Sequence, residues 1–130
     1  MENKDKLIAD WIGTRLKKSS GDQQWALPFC DGYWPTLKTM KFRSSWDWLM
    51  PVIERIQSLD DTFIVKLGTD TMSNLGLISQ YNYCHIENWK GDEVVGHSGG
   101  DKLIQLTYKT IVAFIEWHVD RRLEIERFGN

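Results

Sequence analysis

The sequence predicts an α+β domain, an antiparallel sheet of three or four strands with helices packed on it. Three observations carry this. Apolar residues alternate with period two in the middle of the chain, first at Phe63, Val65 and Leu67. A second run places Tyr81, Tyr83 and His85 on one face and Asn82, Cys84 and Ile86 on the other. On either side of this region the apolar spacing becomes helical. At 130 residues the chain is one domain, long enough to bury a core without metal or disulfide staples.

Leu7, Ile8, Trp11 and Ile12 predict a first helix over Lys4 to Ile12, stopped by Gly13. Thr14 to Arg43 shows no sustained period. It begins polar, from Lys17 to Asp22, and turns aromatic around Trp25, Phe29, Tyr33 and Trp34, with Pro28 and Pro35 as breakers. About thirty residues of irregular chain is long for a compact domain, which marks the segment as an insertion or functional loop.

Ser44 and Ser45 offer an N-cap, with Asp47 in the first turn. Trp46, Leu49, Met50, Ile53 and Ile56 then predict a helix to Ser58, kinked at Pro51. Asp60-Asp61 reads as a turn, Thr62 to Thr69 as a strand and Asp70 to Gly76 as a loop. Leu77 to Trp89 is a second strand, in one piece or two; Lys90-Gly91-Asp92 is a hairpin turn, and Glu93 to His97 a third strand. Asp101 is placed to cap a last helix from Lys102 to Arg127, roughly 39 Å long at 1.5 Å per residue. Its apolar positions cover more than one stripe. Two readings stay open: a helix buried on several sides of its own domain, or one that also builds a homo-oligomer, a dimer at least.

The formal charge of −2 provides no global field for nucleic acid. The opening Met-Glu-Asn-Lys-Asp-Lys is no signal peptide, and the run after it is too short and polar to span a membrane. Two cysteines, Cys30 and Cys84, make no disulfide framework; a cytosolic protein with free thiols and no cofactor is expected.

No catalytic or metal signature stands out. Cys84 and His85 are strand neighbours pointing to opposite faces, so together with His97 and Asp101 they make a poor ligand set. For Cys30 and Cys84 the sequence shows neither a base held within hydrogen-bond reach nor a group to lower the thiol pKa, and Asp60-Asp61 and Asp92-Glu93 fall in turns, where acidic groups serve the backbone. The run Gly96-His97-Ser98-Gly99-Gly100 ahead of a helix could approach an anion, or be loop and cap. The strongest signal is a set of flat rings and cations on loops: Trp25, Tyr33, Trp34, Lys38, Lys41 and Arg43, then Trp89 and Lys90 at a hairpin tip. Rings stack on bases and cations meet phosphates, so with His97 this set points to a small nucleotide-like ligand. The competing reading folds the loop aromatics back as a lid on the core.

Three runs carry a resemblance: Lys6-Leu7-Ile8-Ala9-Asp10-Trp11-Ile12-Gly13, the stretch from Phe42 to Glu54, and the stretch from Leu103 to Trp117. They resemble the phage ABA-sandwich domain group of small phage and prophage proteins. The resemblance implies a viral product working in the cytoplasm of an infected bacterial cell, and it assigns no catalytic residue. With the loop aromatics, the expectation is a non-enzymatic counter-defence protein that sequesters a nucleotide-derived immune signal of the cyclic nucleotide or cyclic ADP-ribose type. The alternatives are an inhibitor that binds a host defence protein, and a small enzyme degrading such a signal with His85 or His97.

Overall fold

The computed structural model describes residues 4–16, 21–59 and 62–128. The turn expected at Asp60-Asp61 and the polar residues 17–20 lie outside the described residues. In chain order the elements are α1 (Lys4–Ile12), β1 (Thr14–Arg15), β2 (Trp25–Ala26), α2 (Trp46–Gln57), β3 (Ile64–Asn74), β4 (Leu77–Glu87), β5 (Glu93–Gly99) and α3 (Leu103–Phe128), with one turn of 3-10 helix at Leu37–Thr39 between β2 and α2. β3, β4 and β5 form an antiparallel sheet in that order, and β1 pairs with β2 in a second, two-stranded sheet. The α+β class is therefore as the periodicities predict.

The central sheet departs from expectation at its far end. Residues 70–74 are not loop: β3 runs on to Asn74, which pairs with Leu77 across a two-residue turn. Leu75 (φ 52°) and Gly76 (φ 80°) both sit in the left-handed region, the conformation a tight hairpin needs. Leucine rarely adopts it, so Asn74-Leu75-Gly76 carries no standard turn signal. β4 is unbroken. Its pairing with β5 begins only at Asn82, opposite Gly99, so the distal halves of β3 and β4 stand out as a two-stranded arm. β5 also extends past His97 to Gly99, which makes the glycine run strand rather than an anion loop.

α3 packs on all three strands with one side and on α1 and α2 with the other, while α2 also reaches β3. The alternation in β4 fixes which side chains face α3: Cys84 and Ile86 are fully buried, and Tyr81, Tyr83 and His85 lie on the outer face. Phe114 is the hub. Fully buried, it meets Phe63 edge-on at 4.9 Å, Trp11 of α1 at 6.4 Å and Trp117 at 5.7 Å. The breadth of apolar surface on α3 is thus used within the chain, and it does not by itself call for a second copy.

Three local features were open to the sequence only in part. Ser45 occupies the N-cap of α2, but its side chain makes no cap bond; its carbonyl accepts from Trp48 and Leu49 instead. α2 continues through Pro51 as one helix. Asp101 does not cap α3. Gln105 Oε1 accepts from the Lys102 amide at 3.2 Å, and the Asp101 carboxylate pairs with Lys109 at 3.0 Å.

Among its described residues the segment from 14 to 43 holds two short strands and one 3-10 turn, and it is tied to the rest of the chain at several points. Thr14 pairs with Ala26 and Arg15 with Trp25, and the Trp25 amide donates to the Pro35 carbonyl. Gly13 does more than end α1: any Cβ there would run into the Ala26 carbonyl, so glycine lets β2 lie against the helix end. Trp25, Leu27, Cys30 and Phe42 are buried, and Phe29, Phe42 and Trp48 form an edge-on cluster with centroids 5.0–6.2 Å apart. Part of the segment is core lid, while Tyr33 and Trp34 stay 50% and 58% exposed. This division is measurable. Trp25→Ala is expected to cost about 3–5 kcal/mol in denaturant unfolding, as large aromatic truncations in a core do. Trp34→Ala should fall within about 0.5 kcal/mol of wild type. Equal costs would refute the division.

Candidate functional site

The ring-and-cation set separates once folded. Trp25 is 1% exposed and donates from Nε1 to Asp10 Oδ1 at 2.8 Å, so it is structural and not ligand-facing. Burial acts to raise the Asp10 carboxyl, but the bonds from Arg15 and Trp25 outweigh it and hold the group below the usual carboxylate range. Arg43 is also committed within the fold. Its Nε donates to Tyr108 Oη at 3.2 Å, Tyr108 donates to the buried Asp5 at 2.8 Å, and the guanidinium lies 5.4 Å over the Tyr108 ring. These bonds join α1 and the turn ahead of α2 to α3.

His97 leaves the set as well. It pairs with Cys84, so its ring lies on the inner face of the sheet, 3.0 Å from Thr110 Oγ1. The Thr110 hydroxyl has one proton and two carbonyls in reach, Leu106 at 2.8 Å and Cys84 at 3.1 Å. Its oxygen is then free to accept from His97 Nδ1–H, which pins β5 to α3.

Tyr33, Trp34 and Lys41 do come together. With Lys38, Met40 and Trp48 they line a cleft of about 590 Å³ between the 3-10 turn and the start of α2. Its lining holds two lysines and no carboxylate, histidine or cysteine. A hydrogen bond with the Cys30 side chain pushes the Tyr33 hydroxyl above the ordinary tyrosine value and ties that ring to the buried lid. The Thr39 hydroxyl donates to the Thr36 carbonyl and accepts from the Thr36 amide, each at 3.0 Å, which stiffens the cleft floor.

Trp89 and Lys90 belong elsewhere. Asn88 builds their turn by accepting from the Lys90 and Asp92 amides at 3.0 Å, leaving Trp89 67% exposed with Lys90 Nζ 5.3 Å above its ring. They border a smaller cleft of about 220 Å³ with Phe63, Trp117 and Arg121, which shares no residue with the first.

A third concavity, of about 500 Å³, was not anticipated as a site. It lies on the outer face of the central sheet, among Lys66, Asp70, Tyr81, Tyr83, His85, Glu87 and Glu93. Period-two alternation had placed the three β4 rings on one face. What that alternation could not show is which cross-strand neighbours meet them. Glu87 joins Lys66 at 3.0 Å and His85 Nε2 at 3.2 Å, and the bond from Lys66 holds its carboxyl below the usual range.

Neither thiol is built as a nucleophile. Cys30 and Cys84 are both buried, and burial pushes the Cys84 thiol up. Among the described residues no group of three or more His, Cys, Asp or Glu is arranged to hold a metal ion, and no helix is long and apolar enough to cross a membrane. Compared with known protein families, curated proteins and solved structures, the chain matches none.

Burial, reinforced by the bond to Asp5, raises the Tyr108 hydroxyl from 10.0 to about 12. A raised value means that folding favours the protonated phenol. This contribution is complete below pH 10 and is lost as pH climbs from 10 to about 12. The stability gap between wild type and Tyr108→Phe should therefore narrow across that window in urea titrations. A gap unchanged by pH would show that the phenol is not held this way.

Proposed function

We propose that this chain is a non-enzymatic binding protein for a small, planar, phosphate-bearing molecule of the nucleotide type, held in the cleft of Tyr33, Trp34, Lys38 and Lys41. The observation that carries this reading is the pairing of exposed rings with two lysines and no opposing carboxylate. Rings stack on a base and ammonium groups meet phosphate oxygens. The cleft holds no histidine, cysteine or acid for proton transfer or attack, which supports binding over turnover. His85 and His97, the residues an enzymatic reading would use, lie on the sheet and outside this cleft. In the viral context that the resemblance implies, such a protein removes an immune signal of the cyclic nucleotide or cyclic ADP-ribose type by sequestering it.

A thermal-shift panel of cyclic mono- and dinucleotides and cyclic ADP-ribose-type signals tests this. At a concentration near 100 times Kd a ligand should stabilise the fold by about 2.7 kcal/mol, a rise of several degrees. Trp34→Ala and the pair Lys38→Gln with Lys41→Gln should each remove that rise without lowering the unliganded Tm. Ligand recovered intact after denaturation supports sequestration. No stabilisation across the panel would sink the proposal.

One feature supports a second reading, an inhibitor that docks on a host protein. The arm carries Met72, Leu75, Leu77 and Ile78 at 52%, 95%, 74% and 77% exposure, and residues 71–81 include no charge. Uncharged apolar edges are where strands add to one another. A host partner captured at one-to-one stoichiometry should be lost on Leu77→Lys with Ile78→Lys. Retention of the partner by that variant would refute docking through the arm.

A further inference from the structure

We propose that the outer face of the central sheet is a second ligand site, built for an organic cation of the guanidinium or alkylammonium type. The floor is aromatic. Tyr81, Tyr83 and His85 follow one another along β4, with Tyr83 and His85 stacked at 5.8 Å and Tyr81 6.5 Å from Tyr83. Side chains from the neighbouring strands ordinarily cover such rings, because cross-strand partners share a face. Here one of the two positions opposite each ring is glycine: Gly68 on β3 faces Tyr83, whose other partner is Ser98, and Gly96 on β5 faces His85, whose other partner is Lys66. A Cβ at Gly68 would come within 3.1 Å of Tyr83 Oη, and one at Gly96 within 2.8 Å of His85 Cβ and 3.0 Å of the Glu93 carboxyl carbon. The two glycines keep the floor open and let Tyr83 and Glu93 lie across it.

The walls decide the sign of the ligand. Asp70, Glu87 and Glu93 face the concavity against one lysine, Lys66, which is already paired with Glu87. Glu93 stays 61% exposed in its side chain, and the His85 Nδ1 atom beside it is 3.9 Å away, beyond hydrogen-bond distance. A phosphate-bearing molecule meets repulsion here. A cation finds ring faces beneath it and carboxylates beside it, the arrangement that recognises guanidinium and ammonium groups. The volume of about 500 Å³ exceeds what one such group fills, so a chain carrying the cation fits as well. The signs of the two sites are opposite: lysines at the cleft, carboxylates on the sheet.

The same chemistry is presented by a free amine such as agmatine and by an arginine side chain of a partner, and titration with both separates the sources. Agmatine and an arginine-containing peptide are added to the intact protein up to about 10 mM, enough to see even millimolar affinity, while NMR follows Tyr81, Tyr83 and His85. Shifts with agmatine alone assign the site to a free cation, and shifts with the peptide too assign it to an arginine side chain as well. In either case Asp70→Asn with Glu93→Gln should weaken binding about tenfold or more, as loss of charge-assisted bonds does. Gly68→Val, whose branched side chain suits a strand, should block binding while the fold is kept. Adenosine monophosphate should leave these three residues unmoved. No shift with either cation, or equal affinity in the charge and glycine variants, would overturn the proposal. Because the readout lies on the sheet, its failure is separate from any failure of nucleotide binding at the cleft.

Discussion

The structure depends on covering one helix from both sides. α3 is 26 residues long and carries apolar side chains around more than half of its circumference. Such a helix cannot rest on a single sheet face and leave its back in water. The inner face of β3–β5 takes one side, and α1 with α2 takes the other. Phe114 makes the division concrete, since its ring meets Phe63 at the start of the sheet and Trp11 on α1. Polar ties then hold the layers in register. Thr110 and His97 join α3 to the sheet, and the Asp5–Tyr108–Arg43 network joins it to the N-terminal helices.

That arrangement fixes where the two proposed sites lie. With α3 on the inner face, no second layer among the described residues covers the outer face of the sheet, and the β4 rings lie partly open. The lid formed by β1, β2 and the following turn seals the other side of the core with Trp25, Leu27 and Phe42, and in doing so it turns Tyr33 and Trp34 outward. The two faces acquire opposite electrostatic character from a few side chains, although the net charge is only −2. Local charge, not the global balance, underlies the chemistry proposed for each site.

How far the site was legible differs residue by residue. Tyr33, Trp34 and Lys41 could be picked out because rings and cations between prolines, with no periodic partner, have no evident core to join. Trp25 looked the same in sequence. It differs because β2 pairs with β1 and Asp10 accepts its indole N–H, both contacts made across a distance in the chain. The bonds that Arg43 makes within the fold were hidden for a similar reason, since its partners, Asp5 and Tyr108, lie 38 and 65 residues away. The sheet-face site was half visible: alternation aligned Tyr81, Tyr83 and His85, but the glycines beside them depend on register. A shift of one residue in β3 would set Leu67 or Thr69 opposite Tyr83 in place of Gly68 and close the floor.

The fold class, the long C-terminal helix and the two faces of β4 follow from the sequence by itself, because periods of 2 and 3.6 are local properties of the chain. The alternation of Cys84 and Ile86 with Tyr83 and His85 needs no knowledge of what lies beyond the strand. Tertiary structure decided which aromatic residues are structural, where the hairpin turns, and that the rings and cations divide between separate clefts. Those outcomes rest on pairings between distant segments: β1 with β2, Gly68 with Tyr83, Asp5 with Tyr108. Periodicity assigns a side chain to a face, but only packing determines what that face meets.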